Sequence, residues 1–285
     1  MSEEIEFSHL GTPEEIVQKL KNAKIFSEQD FLNLSVSTLA QRYGLNCDQI
    51  STLKRNVFKQ TFESLRMCPE AVYDTNLFGQ LKGNHLYEIY GGPGTGKTQL
   101  CSFLAVKFSQ DIQHGKVLYL DTKNDLSYRR LNDFAQREGS PPNLLMSKVF
   151  DIHQAIKLTG KLCEEKEDSV TISLLILDNI TSLVLPLVDD DDVSDVFCQV
   201  GELIGNLKEI STRQNCPVII TNNATKNYTI PALGKFLEHA ADIQFSIQHH
   251  QEEGTRLLKL CRGSEDSLQS LLEFTITKTG IDIKT

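Results

Sequence analysis

The sequence predicts an α/β protein: a mostly parallel central sheet covered by helices and preceded by a small all-helical domain. Three observations predict it. From residue 85 onward, apolar runs alternate with amphipathic stretches, the pattern of strand–helix repetition that builds a parallel sheet. The first 64 residues carry helical spacing and helix caps. Between them, residues 65–84 hold Pro69, Asn76, Gly79, Gly83 and Asn84, which interrupt any long element and read as a linker.

Each element has its own signal. Thr12-Pro13-Glu14-Glu15 places a capping hydroxyl, a proline at the first helical position and a glutamate three residues after the cap. Ile16, Leu20 and Ile25 then supply the core side, and Ser27 and Ser35 cap two further short helices. Gly44 ends one helix, and Ile50, Leu53, Val57 and Phe58 mark another. A module of this size has a thin core. Beyond the linker, strands are expected at 85–90, 117–121, 172–178, 218–222, 242–247, 256–261 and 272–277. Helices are expected at 96–110, 127–137, 152–166 and 195–213. The last shows a buried stripe of Val196, Val200, Leu203, Leu207 and Ile210, and must stop before Pro217.

Composition bounds the function. At 285 residues the chain is one large domain or one large plus one small. Its longest apolar runs are too short to span a bilayer, and "MSEEIEFSHL" lacks a basic stretch followed by an apolar one, so no secretory signal is expected. Seven scattered cysteines without a C-x-x-C pair read as free thiols in a reducing compartment, not as a zinc site. A net charge of −9 argues against a protein that binds chiefly by coating nucleic acid, though it leaves room for a local basic groove. The acidic run at 189–192, with Asp195 behind it, reads as a solvated loop.

Chemistry concentrates at the strand ends. Gly91, Gly92, Pro93, Gly94, Thr95, Gly96, Lys97 and Thr98 follow an apolar strand and open an amphipathic helix. Glycines there let consecutive N–H groups point at phosphate oxygens, and the helix N-terminus adds its positive dipole end. Lys97 is then the side chain for the β/γ-phosphates of a nucleoside triphosphate, and Thr98 the hydroxyl for Mg²⁺. A second element, Leu174-Leu175-Ile176-Leu177-Asp178, is a buried strand ending in the carboxylate expected on the metal side. A third, Val218-Ile219-Ile220-Thr221-Asn222-Asn223, leads into Lys226, Asn227 and Tyr228. Its terminal amide reads equally as a nucleotide sensor or a strand cap.

Over nearly the whole chain the sequence resembles the RecA-type recombinases. Within them it is most similar to the eukaryotic paralogs of the strand-exchange recombinase, the D-type group above all. The stretches that carry the resemblance are "EIYGGPGTGKTQLC", "VLYLDTKNDLSYRRL", "LLILDNITSLVLPL", "VIITNNATK" and "PALGKFLEHAADIQFSI". The N-terminal "GTPEEIVQKLKNAKIFSEQDFLNLSVSTLAQRYGL" belongs with them. The phosphate loop alone identifies only the superfamily; the combination narrows it.

The resemblance implies a RecA-like ATPase core at 85–285 behind a helical domain at 1–64, with ATP and Mg²⁺ as cofactors. It implies a nuclear protein of homologous recombination and double-strand-break repair. Its partners would be other paralogs in a heteromeric complex, single-stranded DNA and recombinase filaments. It also exposes departures. Active recombinases follow the strand read here as "VLYLDT" with a water-polarising glutamate; this chain has Lys123. A charged lysine accepts no proton, so Asp125 is left as the alternative carboxylate. The sensing glutamine becomes Asn223, one methylene shorter, and the segment before the first core strand is reduced to "NLFGQLKGN". The first DNA-facing loop falls near 186–195, where four aspartates replace basic residues that would contact phosphates. Remaining basic candidates are Lys54, Arg55, Lys59 and Arg66, which read at least as well as a solvated helix face, and Lys226 with Lys235.

Two other functions compete. A small-molecule kinase needs cationic side chains over the transferring phosphate, and no arginine lies between residues 138 and 212. The second is an interaction scaffold that uses ATP as glue and touches no DNA.

Overall fold

A computed structural model of the chain describes residues 80–110, 115–138, 144–164, 171–188, 193–225, 230–237, 239–263 and 271–284, with short stretches at 18–20, 39–40, 43–44, 46, 49–50 and 72–74. Contacts divide the chain into two compact units, Met1–Pro69 and Glu70–Thr285. In the first unit, residues 18–20, 39–40 and 49–50 are helical, and Leu20, Leu39 and Ile50 are buried. The remaining helix and cap expectations there lie outside the described residues.

The second unit is built on a sheet of nine strands. Six are parallel: β3 (Leu86–Gly91), β4 (Lys116–Asp121), β5 (Leu144–Lys148), β6 (Ile172–Asp178), β7 (Val218–Asn223) and β8 (Ile243–His249). They stand in the order β8-β3-β7-β6-β4-β5. From β8 the sheet continues antiparallel through β9 (Thr255–Arg262), β10 (Leu271–Ile276) and β11 (Ile281–Ile283).

The central strands are largely apolar because both faces are covered. Successive residues point to opposite faces. Tyr87, Ile89, Tyr119, Leu174, Ile176 and Ile219 enter one core, beneath α1 (Lys97–Ser109) and α2 (Tyr128–Glu138). Leu86, Leu120, Leu175, Leu177 and Ile220 enter the other, beneath α3 (Ile152–Glu164), α4 (Ile180–Val188) and α5 (Val193–Arg213). Across the α1–α2 contact, Phe103 meets Phe134 edge to face at 5.9 Å between ring centroids.

The seven expected strands and four expected helices of this unit are all present, with ends shifted by a few residues. Sequence pattern missed others. β5 is an edge strand with Leu145 and Met146 exposed, so it lacks an apolar run bounded on both sides. α4 contains Pro186, a residue that ordinarily argues against a helix. α6 (Gly234–Leu237) is a single turn. The segment read as a linker holds a small antiparallel ladder, β1 (Val72–Asp74) against β2 (Gln80–Lys82), and Leu81 is buried with the α1-side core. The loop expected at 186–195 is also shorter than expected: α4 runs to Val188 and α5 begins at Val193. The aspartates between them lie outside the described residues.

Candidate nucleotide-binding site

The parallel strands end together, and the candidate residues gather on that edge. Gly91 of β3 pairs in register with Asn223 of β7, and Asp121 of β4 pairs with Asp178 of β6. From β3 the chain turns through residues 92–96 into α1. A Cβ at Gly91 would fall 2.3 Å from the backbone oxygen of Ile247, so no other residue fits. Gly96 has φ 105°, a left-handed conformation that glycine adopts without strain, and it leads into α1 with no side-chain cap. The first N–H groups of the helix therefore remain available to an anion.

Lys97 is 8% exposed. Its Nζ donates to the carbonyls of Gly91 at 2.8 Å and Gly92 at 2.9 Å. Burial lowers its pKa to about 8; the Lys123 charge pushes the same way, and Asp178 opposes both. Thr95 Oγ1 donates to Gly92 O at 2.9 Å, and Arg256 Nε of β9 donates to Thr95 O at 3.0 Å, closing the loop from both sides. Thr98 follows on the first turn of α1, half-buried.

Asp178 is buried, and hydroxyls hold both of its oxygens. Tyr119 donates to Oδ2 at 2.8 Å and Thr221 donates to Oδ1. Burial, then the Asp178 charge, pushes the Tyr119 phenol well up, so it stays a donor. Next to Asp178, Asn179 Oδ1 is buried with no hydrogen-bond partner among the described residues, a place suited to a hydrated ion. The glycine cradle, the buried lysine, the Thr98 hydroxyl and this carboxylate edge fit ATP with Mg²⁺. Lys97 and the α1 amides would take the phosphates, and Thr98 and Asp178 would face the metal. Bound there, Mg²⁺ would offset charge on the phosphate oxygens.

Asn223 Oδ1 accepts from Asn179 Nδ2 at 3.2 Å, and its backbone N–H donates to Thr181 Oγ1 at 2.9 Å. Lys123 and Asp125 are both exposed. Of the basic candidates outside the site, Lys54, Arg55, Lys59, Arg66 and Lys226 lie outside the described residues, with Asn227 and Tyr228; only the backbone of Lys235 is described.

Several residues here carried no signal in the sequence. Asp121 turns its carboxylate inward onto the N–H groups of Lys123 (3.1 Å), Asp125 (3.3 Å) and Leu126 (3.0 Å). Glu88, fully buried on β3, accepts from Asn222 Nδ2 at 2.7 Å and Gln244 Nε2 at 2.6 Å. Asn222 Nδ2 also donates to Ala232 O at 2.7 Å, tying the far end of the loop after β7 back to that strand. Arg130 of α2 donates to Gln99 of α1 at 2.6 Å and to the carbonyls of Thr277 and Lys278. Each is an ordinary polar residue until the fold brings its partner, so no local pattern marks it.

Residues 67–283 match the family model described as Rad51. The chain is 25% identical over 258 residues to the mouse (Mus musculus) "DNA repair protein RAD51 homolog 4", covering 79% of this chain and 78% of that protein. It is 28% identical over 212 residues to the "DNA repair and recombination protein RadB" of Methanococcus maripaludis strain C5, covering 73% of this chain and 95% of that protein. To the RadB of Methanocaldococcus jannaschii it is 27% identical over 213 residues, covering 73% and 97%. With the sheet order, the phosphate-type loop and this match over most of its length, the chain belongs to the Rad51 family.

Proposed function

We propose that the chain is an ATP-binding recombinase paralog of DNA repair and homologous recombination that holds its nucleotide more than it spends it. The observation that carries this is the pairing of a complete phosphate loop with Lys123. Lys97 is buried at the loop and Asp178 is held by two hydroxyls. The residue two past the end of β4 is a lysine, with no proton-accepting power while charged. Positioned acid–base groups contribute about 10²–10⁴-fold in rate, so the isolated chain hydrolyses ATP slowly.

ATP then serves to order loops and the contact with a neighbouring subunit, within a heteromeric complex of paralogs that binds single-stranded DNA and supports recombinase filaments in the nucleus. A groove of about 380 Å³ between β5 and α3 supports the subunit contact. Leu145, Leu158 and Leu162 line it together with Lys116, Lys157 and Lys161, a lining suited to an apolar segment of the neighbour flanked by carboxylates. Residues 1–64 form a small helical domain ahead of the ATPase core at 85–285, and the 65–84 segment between them contributes β1 and β2.

Steady-state ATPase of the isolated chain, with and without single-stranded DNA, tests the reading. Slow turnover that rises in Lys123→Glu is the expected result. Fast turnover by the unaltered chain would sink it. A second reading, the ATP-dependent scaffold without DNA contact, is favoured by the acidic run at 189–192. It predicts nucleotide-dependent partner binding and no DNA retention even in the assembled complex.

A further inference from the structure

We propose that Lys123 is a second phosphate-binding cation, which makes this site select a nucleoside triphosphate over the corresponding diphosphate. This rests on the nucleotide reading of residues 91–98 and adds a specificity role that the loop itself does not supply.

The turn carrying Lys123 is fixed to the site from within. Thr122 N–H donates to Asp178 O at 2.8 Å, and Thr122 Oγ1 bridges Asn179 O at 2.8 Å and Asn179 N–H at 2.7 Å. Asp121 directs its carboxylate to three backbone N–H groups of the same turn and not to the ammonium of the lysine beside it. Asn124 sits at φ 58°, turning the chain sharply just after Lys123. Lys123 forms no ion pair among the described residues.

Lys123 thus stands at the same edge of the sheet as Lys97, on a turn tied to Asp178 and Asn179 of the neighbouring strand end. Like charges so placed repel, and an anion between them reverses the sign of the interaction. The direction of the triphosphate says which anion. A loop of this type cradles the inner phosphates while its lysine reaches the β/γ pair. Across the sheet, β3 with the loop is followed by β7, then β6 with Asp178, then β4 with Lys123. A phosphate chain leaving the loop toward Asp178 would bring its last group toward the β4 side, and a diphosphate would end short of it.

The test is equilibrium titration of the full chain, with Mg²⁺, against ADP and a non-hydrolysable ATP analogue. Wild-type protein should prefer the triphosphate. In Lys123→Ala the triphosphate-to-diphosphate affinity ratio should fall about tenfold, the usual scale for a lost charge-assisted contact. Lys123→Arg should keep the preference, and Lys97→Ala should weaken both nucleotides. An unaltered ratio in Lys123→Ala, or no preference in the wild type, overturns the proposal while leaving the nucleotide site standing. Failure of the wild-type chain to bind either nucleotide would overturn the site and the proposal together.

Discussion

Glu88 is buried at the centre of the sheet, and its two oxygens meet the amides of Asn222 and Gln244. Burial raises its pKa from the ordinary 4.5, against the lowering effect of both amides and of Arg262. The native state therefore holds the Glu88 proton to higher pH than the unfolded chain does. Its contribution to stability is full below about pH 4.5 and is lost as pH rises through the raised value. Glu88→Gln has no proton to lose. Urea unfolding of the two proteins at a series of pH values should show wild type losing stability relative to the variant as pH rises from 4.5. A constant difference would mean that Glu88 titrates alike in both states. The same residue scale governs Asp178, whose hydroxyl partners Tyr119 and Thr221 orient the carboxylate without competing for its charge.

Among the elements, α4 and α5 decide what the acidic run can do. Both helices pack on the β6–β7 face, with Leu183, Val184, Val196 and Val200 buried, so only the residues between Val188 and Val193 are left to connect them. Four consecutive aspartates repel phosphates. Replacing Asp189, Asp190, Asp191 and Asp192 with serine should leave single-stranded DNA affinity equal or raise it, most visibly at low salt, where the charges are least screened. A marked fall in affinity in a protein that stays folded would place the run in a DNA contact.

At the scale of the whole chain, the contacts fall into units at Met1–Pro69 and Glu70–Thr285, and the residues of the candidate nucleotide site all belong to the second. Limited proteolysis should cut within 65–84 and release a fragment that retains nucleotide binding. The sharper expectation is a cut before β1, because Leu81 of β2 is buried in the core of the second unit. Loss of ATP binding on cleavage there would mean that the first unit is needed for the site.

Much of this was legible in the chain itself. Strands β3, β4, β6, β7 and β8 and helices α1, α2, α3 and α5 have local causes: apolar runs of strand length, helical stripes, and a proline at 217 that ends what precedes it. The residues 91–98 and the strand ending in Asp178 were equally visible, because backbone conformation and phosphate chemistry restrict which residues can stand there. Tertiary structure decided the rest. β5 owes its conformation to pairing with β4, and α4 to burial of Ile180, Leu183 and Val184 despite Pro186. Tyr119, Thr221 and Arg130 acquire roles from partners between 31 and 148 residues away. A hydrogen bond needs two groups within about 3 Å, and sequence spacing carries that information only inside a single turn. Across a sheet it is register, set by the packing of both faces, that brings the partners together.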